Sequence, residues 1–222
     1  MLDGLLVYPL NESGAPFPMW LVSLPVAPSP TLLQLLSIEE RQRADRFRTA
    51  ALRQRYIAAH AGLRLLAARC FGGAAGAEQV VRDARGKLQL RCGVNAQCSI
   101  SYAADQALIG ISEGSAIGVD AENLRPIDDA AELMELHYTP AERAALRALT
   151  QAGKAIDHAF LAIWVRKEAC VKALGKGLAI PLTEVEIGLQ SRMTTVRIGK
   201  SGLRTAAIQA PGDLVIAWAQ TL

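Results

Sequence analysis

The chain has 222 residues, of which 51% are hydrophobic and 20% are charged. This composition is typical of a globular protein with a real core, built as one large domain or two small ones. The formal net charge is only +3 and the sequence pI is about 8.8, which disfavours a nucleic-acid groove but suits an anionic ligand or an acidic partner. We find no signal peptide and no apolar run that could span a bilayer, so we expect a cytoplasmic protein.

The cysteines argue against zinc and redox sites. Cys70, Cys92, Cys98 and Cys170 show no C-x-x-C spacing, so the sequence predicts four reduced thiols. A disulfide between Cys92 and Cys98 across a hairpin is the disfavoured alternative.

The first half predicts two strands followed by two helices. Residues 4–10 and 18–24 are short apolar runs typical of strands, and the prolines at 25, 28 and 30 indicate a connector. Ser37 and Glu40 then form a capping-box pattern at a helix start. A longer helix follows, because apolar positions recur at intervals of four and three residues: Leu52, Tyr56, Ala59, Leu63, Leu66 and Cys70. Phe71-Gly-Gly is a fitting end for it.

The second half repeats this order. Strand and turn patterns run from Val80 to Glu122, and Thr139, Pro140 and Glu142 then give a second capping-box pattern. Another long helix is predicted by the apolar positions Ile156, Phe160, Ile163, Cys170 and Leu174, and strands return over roughly 183–222. The repeated order indicates an internal duplication.

Two carboxylates on one predicted strand are strong candidates for chemistry. In a strand over 117–122, Asp120 and Glu122 project from one face while Val119 and Ala121 face the core. Carboxylates about 7 Å apart repel unless a cation lies between them, so the pair is half of a plausible Mg²⁺ site; a solvated edge strand is the alternative.

Lys167 lies within the apolar stripe of the second long helix, and Glu168 and Lys172 lie on its flank. A carboxylate–metal–phosphate cluster would neutralise Lys167; alternatively its ammonium reaches the surface and pairs with neighbours of Glu168.

Other catalytic patterns are weaker. Gly110 to Gly114 matches the G-x-S-x-G of a serine hydrolase, with His137 or His158 as the base, but a turn and a strand follow where a helix is required. No paired-histidine zinc motif occurs, and Gly-Lys-Gly lacks the upstream glycine of a P-loop. The arginines at 41–55 are either a solvated face or a phosphate cradle.

Gly-Val-Asp-Ala-Glu, followed some 40 residues later by Trp-Val-Arg-Lys-Glu-Ala-Cys-Val-Lys-Ala-Leu-Gly-Lys-Gly-Leu, resembles the two-part signature of Sfp-type 4'-phosphopantetheinyl transferases. The resemblance extends over roughly residues 36–190. It implies an α+β fold made of a pseudo-twofold pair of similar subdomains, 1–112 and 113–222, with the active site in the cleft between them. It also implies a monomer. The mild net charge and the lack of a bilayer-spanning run predict no nucleic acid and no membrane as partner.

The resemblance further implies a Mg²⁺-dependent transfer of 4'-phosphopantetheine from coenzyme A to a serine of an acyl or peptidyl carrier protein. Asp120, Glu122 and Glu168 would hold Mg²⁺, and Glu168 would also be the base, directly or through a water on the metal. Lys172 would contact the attacked phosphate, and Lys167 would give charge support. Coenzyme A would be bound by Arg43, Arg55, Arg82, Lys87, Ser101, Tyr102 and Lys172.

Tyr102 departs from the family pattern, because most members have histidine there, in contact with the 3'-phosphate of coenzyme A. A tyrosine donates one neutral hydrogen bond and is not cationic near pH 7. We therefore expect weaker coenzyme A binding with the chemistry intact. The alternative is a degenerate relative that binds coenzyme A or a carrier without turnover, and the sequence does not say which carrier is served.

Overall fold

The structure is a computed structural model that describes residues 2–11, 13–27, 29–72, 80–91, 95–190, 192–210 and 212–222. The chain divides into two compact units, Met1–Gly114 and Ser115–Leu222. Each unit combines helices with an antiparallel sheet, which confirms the α+β class. Cys92, part of the alternative disulfide, lies outside the described residues, and so does Pro28 of the predicted connector.

The first unit contains a six-stranded sheet in the order β1-β2-β6-β5-β4-β3. Its elements in chain order are β1 (Val7–Pro9), β2 (Met19–Ser23), α1 (Pro30–Leu35), α2 (Ile38–Ala44), α3 (Ala50–Phe71), β3 (Val80–Arg82), β4 (Leu88–Arg91), β5 (Asn95–Ala103) and β6 (Gln106–Glu113).

The second unit contains a four-stranded sheet in the order β7-β10-β9-β8. Its elements are β7 (Ile117–Asn123), α4 (Ala130–His137), α5 (Pro140–Gln151), α6 (Asp157–Leu174), short 3₁₀ turns at Gly177–Ala179 and Leu182–Glu184, β8 (Thr194–Ile198), β9 (Ser201–Gln209) and β10 (Leu214–Thr221).

Both units follow one order of elements. A strand (β2 or β7) leads to three helices and then to a run of consecutive antiparallel strands, four in the first unit and three in the second, the last of which pairs with the first strand. The repeated order supports the internal duplication that the sequence indicates. The pseudo-twofold arrangement and the cleft stay predictions.

Local chemistry explains why the helices begin where they do. Ser37 and Glu40 close a capping box at α2, and Thr139 and Glu142 close another at α5, so both predicted boxes are confirmed. The long helix α3 ends at Gly72, whose φ of 73° suits a residue without a side chain.

Two helices differ from expectation. Pro30, expected in a connector, occupies the first turn of α1, where a missing N–H is tolerated. Helix α4 was not predicted, and no side chain caps its start at Asp129. Across the described ranges, no helix is both long and apolar enough to cross a membrane.

Candidate active site

Strand β7 and helix α6 pack backbone to backbone. A Cβ at Gly118 would lie 2.0 Å from the Ala169 carbonyl oxygen and 2.5 Å from the Ala173 nitrogen, so only glycine permits this approach. Because side chains alternate along a strand, Gly118, Asp120 and Glu122 share the face directed at α6. Val119 and Ala121, on the opposite face, are buried as predicted, and the main cluster of buried apolar residues lies on the carboxylate face.

The candidate site is built from β7 and α6. Lys172 donates a hydrogen bond from Nζ to Oδ1 of Asp120 at 2.6 Å, and Asp120 is only 5% exposed. Glu122 and Glu168 are half-buried beside them. The local sequence explains the arrangement, because Glu168 and Lys172 are four residues apart and therefore lie on one face of α6.

The carboxylates interact electrostatically. Burial raises the pKa of Glu122, and the nearby charge of Asp120 raises it further, while Arg125 and Lys172 oppose the increase. Burial also raises the pKa of Glu168, with Asp120 and Glu122 adding to the effect and Lys172 opposing it. Clustered carboxylates of this kind are stabilised by a cation.

Oxygen donors are the ligands that Mg²⁺ prefers, so the chemistry of this cluster fits that ion. Among the residues that the structure describes, however, no three acidic, histidine or cysteine side chains are arranged as a ready-made metal site. Mg²⁺ is commonly held by one or two carboxylates, with phosphate oxygens of the substrate and water as the other ligands. The cluster therefore fits a metal that is bound together with a phosphate-bearing substrate.

Lys167 lies apart from this cluster. Its side chain is completely buried and pairs with Glu142, with Nζ 2.7 Å from Oε2. Both earlier interpretations of Lys167 are therefore wrong: it neither reaches the surface nor relies on a carboxylate–metal–phosphate cluster for its counter-charge. The sequence did not reveal this ion pair because Lys167 and Glu142 lie on different helices.

A second feature is a cavity of about 450 Å³ in the first unit. Four of the predicted coenzyme A residues line it: Arg43, Arg55, Arg82 and Tyr102, of which Tyr102 is 38% exposed. The other lining residues are Phe47, Leu52, Tyr56, His60, Leu88 and Ile100. Guanidinium groups beside aromatic and aliphatic side chains suit a ligand that carries phosphate and an aromatic ring.

Three predicted binding residues lie outside the set that lines this cavity: Lys87, Ser101 and Lys172, which belongs to the second unit. Ser101 alternates with Ile100 and Tyr102 on β5, so it points to the opposite face of the sheet, where it is buried. Lys87 directly precedes Leu88, which lines the cavity. Burial lowers the pKa of Lys87 to about 8, although the nearby Cys98 and Asp83 act to raise it.

His60 lines the cavity although sequence reasoning did not select it. Its Nδ1 lies 2.8 Å from Oε1 of Glu40, and its ring stacks on Tyr56 with centroids 4.0 Å apart. The sequence offered one signal for His60. Tyr56 directly follows Arg55 on α3, and His60 lies four residues after Tyr56, so the two rings are on the same face of the helix.

A smaller cavity of about 230 Å³ adjoins the first, because Arg43, Tyr56, Arg82 and Leu88 line both. Glu40 and Arg46 line only the smaller one. Together the two adjoining cavities are lined by four arginines, at positions 43, 46, 55 and 82.

The serine hydrolase interpretation is wrong. Ser112 lies in strand β6 and is 5% exposed. Strand β7 begins five residues later, whereas a nucleophile elbow requires a helix.

Comparisons with known proteins show the family to which the chain belongs. A family model described as the 4'-phosphopantetheinyl transferase superfamily matches residues 116–219, which include Asp120, Glu122, Glu168 and Lys172. The chain belongs to the 4'-phosphopantetheinyl transferases and is an enzyme of that class, as the two-part signature predicted.

Two curated relatives are similar over most of the chain. The first is the 4'-phosphopantetheinyl transferase HetI of Nostoc sp. (strain PCC 7120 / SAG 25.82 / UTEX 2576), 31% identical over 176 residues, which are 77% of this chain and 73% of HetI. The second is named "Putative 4'-phosphopantetheinyl transferase slr0495", from Synechocystis sp. (strain ATCC 27184 / PCC 6803 / Kazusa). It is 30% identical over 153 residues, which are 68% of this chain and 61% of that protein.

Proposed function

We propose that the protein transfers 4'-phosphopantetheine from coenzyme A to a serine hydroxyl of an acyl or peptidyl carrier protein, with Mg²⁺, and releases adenosine 3',5'-bisphosphate. The observation that carries this proposal is the cluster of Asp120, Glu122 and Glu168, in which Lys172 lies 2.6 Å from Asp120. These are the acidic and basic groups of the two-part signature, gathered where β7 meets α6.

The bonds that change define what the residues must do. The serine oxygen bonds to the phosphorus that carries pantetheine, and the bond from that phosphorus to the bridging oxygen of the diphosphate breaks. The bonding electrons leave with adenosine 3',5'-bisphosphate. Phosphoryl transfer of this kind depends mainly on positioning and electrostatic stabilisation, so no protein nucleophile is needed.

Glu168 is the proposed base for the serine proton. Its pKa is raised by burial, then by Asp120, against the opposing charge of Lys172, and a carboxylate of raised pKa accepts a proton more readily. Asp120, Glu122 and Glu168 would hold Mg²⁺, which supplies positive charge to the diphosphate when bound. Lys172 is the proposed contact for charge that develops on the attacked phosphate.

The cavity in the first unit is the proposed site for the nucleotide part of coenzyme A. Arg43, Arg55 and Arg82 would pair with phosphate oxygens, because planar guanidinium groups match them in two-point contacts. The apolar lining, including Phe47 and Tyr56, suits the adenine ring. The proposed roles of Lys87, Ser101 and Tyr102 follow from the family resemblance.

The proposed partner is an acidic carrier protein, which suits the formal net charge of +3. A monomeric, cytoplasmic enzyme remains the expectation.

The test is a panel of purified carrier proteins incubated with coenzyme A and Mg²⁺, with and without a chelator, followed by mass spectrometry. We expect at least one carrier to gain the phosphopantetheine mass, and the chelator to prevent the gain. A Glu168→Gln chain serves as the matched inactive control. If no carrier is modified although the protein still binds coenzyme A, the result would favour a degenerate relative that binds without turnover.

A further inference from the structure

Glu142 and Lys167 form a completely buried ion pair between the first turn of α5 and the middle of α6, with Nζ 2.7 Å from Oε2. Taking two charges out of water is costly unless further hydrogen bonds satisfy both groups. Here the same Oε2 also accepts the backbone N–H of Thr139 at 2.9 Å, as the second half of the capping box.

The remaining bonds of the pair reach the segment 182–188. Lys167 Nζ donates to the carbonyl oxygens of Leu182 at 2.8 Å and Val185 at 2.7 Å. Oε1 of Glu142 accepts the backbone N–H of Ile187 at 2.8 Å. One ion pair therefore joins α5, α6 and the chain that follows α6.

Lys167 immediately precedes Glu168 on α6. Consecutive side chains on a helix point about 100° apart, so the direction fixed for Lys167 also sets that of Glu168. The close approach of Gly118 to Ala169 holds α6 at β7. Because α6 is held both at Gly118 and at Glu142, it cannot turn or slide without breaking buried contacts.

We propose that Glu142 and Lys167 are positioning residues for the transfer reaction: they fix the rotation of α6 that presents Glu168 and Lys172 beside Asp120. The inference rests on the proposed function and adds two residues to it. Neither residue contacts the reacting atoms, so their effect is transmitted through the backbone of α6.

The first unit contains a similar buried ion pair. There the capping-box residue Glu40 pairs with Arg64 of α3, with Oε2 2.6 Å from Nη2, and Arg64 is completely buried. A capping-box glutamate paired with a buried cation of the following long helix therefore occurs in both units. Only in the second unit does a candidate catalytic carboxylate follow the cation directly in sequence.

Three variants separate positioning from simple stabilisation: Lys167→Met, Glu142→Gln and the double variant. Lys167→Met leaves the buried carboxylate without its ammonium partner and should lower the melting temperature most. Glutamine keeps a capping-box side chain at position 142. The double variant removes both charges and should regain most of the lost melting temperature.

The positioning role predicts that catalysis does not recover with stability. We expect the double variant to keep a kcat about 10- to 100-fold below wild type, because supporting residues of a metal site have effects of that size. We expect its KM for coenzyme A to stay within about twofold of wild type, since the arginine cavity is unaltered. Its affinity for Mn²⁺ with coenzyme A present, followed by the electron paramagnetic resonance signal of free Mn²⁺, should weaken about 10-fold.

Leu203→Ala is the matched control, because Leu203 is completely buried in the same unit on β9. It should lower the melting temperature while keeping kcat and Mn²⁺ affinity near wild type at assay temperature. The proposal is overturned if the double variant regains wild-type kcat and Mn²⁺ affinity, or if Leu203→Ala loses both to the same extent.

The two proposals fail in different ways. A wild-type chain that binds Mn²⁺ but modifies no carrier overturns the proposed function, and the Mn²⁺ affinities of the variants then decide the positioning role. A wild-type chain that binds no Mn²⁺ with coenzyme A present overturns both.

Discussion

Lys172 of α6 places its ammonium nitrogen 2.6 Å from Oδ1 of Asp120 on β7. The two residues are 52 positions apart in the sequence, so this contact joins the two halves of the signature in space. The lysine side chain is 31% exposed while the aspartate side chain is 7% exposed. The cation can therefore reach a ligand from the solvent side while it remains paired with the carboxylate.

Replacing Lys172 by methionine should lower kcat about 100-fold, because the reacting phosphate loses a preorganised positive charge. The KM for coenzyme A should change less, provided that the arginines of the first unit supply most of the ground-state binding. Steady-state transfer to a purified carrier measures both constants. Lys200→Gln, at an exposed lysine of the same unit, is the control, and an equal loss there would point to a general charge effect.

Asp120→Asn and Glu168→Gln should each lower transfer at least about 100-fold, since each removes a charged oxygen donor from the proposed metal site. Raising the Mg²⁺ concentration should recover part of the lost rate if metal affinity is the main defect. The measurement is the initial rate of carrier modification across a Mg²⁺ titration. Glu132→Gln, at an exposed position of α4, should behave as wild type; near-normal rates for Glu168→Gln would contradict its role as base.

The features that sequence reasoning predicted are mostly local. A capping box needs only residues three positions apart, so Ser37 with Glu40 and Thr139 with Glu142 could be recognised without a structure. The long helices could be recognised from a regular spacing of apolar residues.

Outside the two-part signature, the sequence could not provide pairing between distant segments. Glu142 looks like a capping residue alone, and nothing in its neighbourhood indicates that it also neutralises Lys167, which lies 25 positions away. The close approach of Gly118 to α6 could not be predicted either, because nothing next to Gly118 in the sequence indicates that a helix packs on its face of β7.

Tyr102→His should lower the KM for coenzyme A about fivefold, because a charge-assisted contact to phosphate is about 1 kcal/mol stronger than a neutral one. The position is suited to the test, since Tyr102 lines the cavity that contains Arg43, Arg55 and Arg82. Isothermal titration with coenzyme A gives the affinity directly. The interpretation fails if the histidine variant gains no affinity; Tyr8→His, at an exposed tyrosine of β1, controls for the added imidazole.

Glu40 should make the first unit sensitive to acid. Burial alone would raise its pKa, but the hydrogen bond and charge of His60, the backbone of Ser37 and the charge of Arg64 outweigh burial and lower the pKa from 4.5 to about 2. A lowered folded-state pKa stabilises the fold fully above pH 4.5, and this stabilisation is lost as the pH falls towards 2. Its size is about 3 kcal/mol in the free energy of unfolding.

Hydrogen exchange of the α3 amides between pH 6 and pH 2 measures this effect. The stability advantage of wild type over Glu40→Gln should shrink by about 3 kcal/mol across that range. Glu39→Gln, at the exposed neighbouring position, should follow the wild-type curve. Parallel curves for wild type and Glu40→Gln would show that another group governs the acid response.

Gly118→Ala should damage both stability and transfer, because the added Cβ would lie 2.0 Å from a backbone oxygen of α6 that cannot rotate away. Helix α6 must then move from β7, which should cost about 3 kcal/mol in unfolding free energy and displace Glu168 and Lys172 from Asp120. Gly62→Ala on α3 is the matched control, since its Cβ would meet the movable side chain of Val22 at 3.2 Å. Thermal melts and kcat for both variants give the comparison. If Gly118→Ala keeps the wild-type kcat, the close approach of β7 to α6 does not set the geometry of the carboxylate cluster.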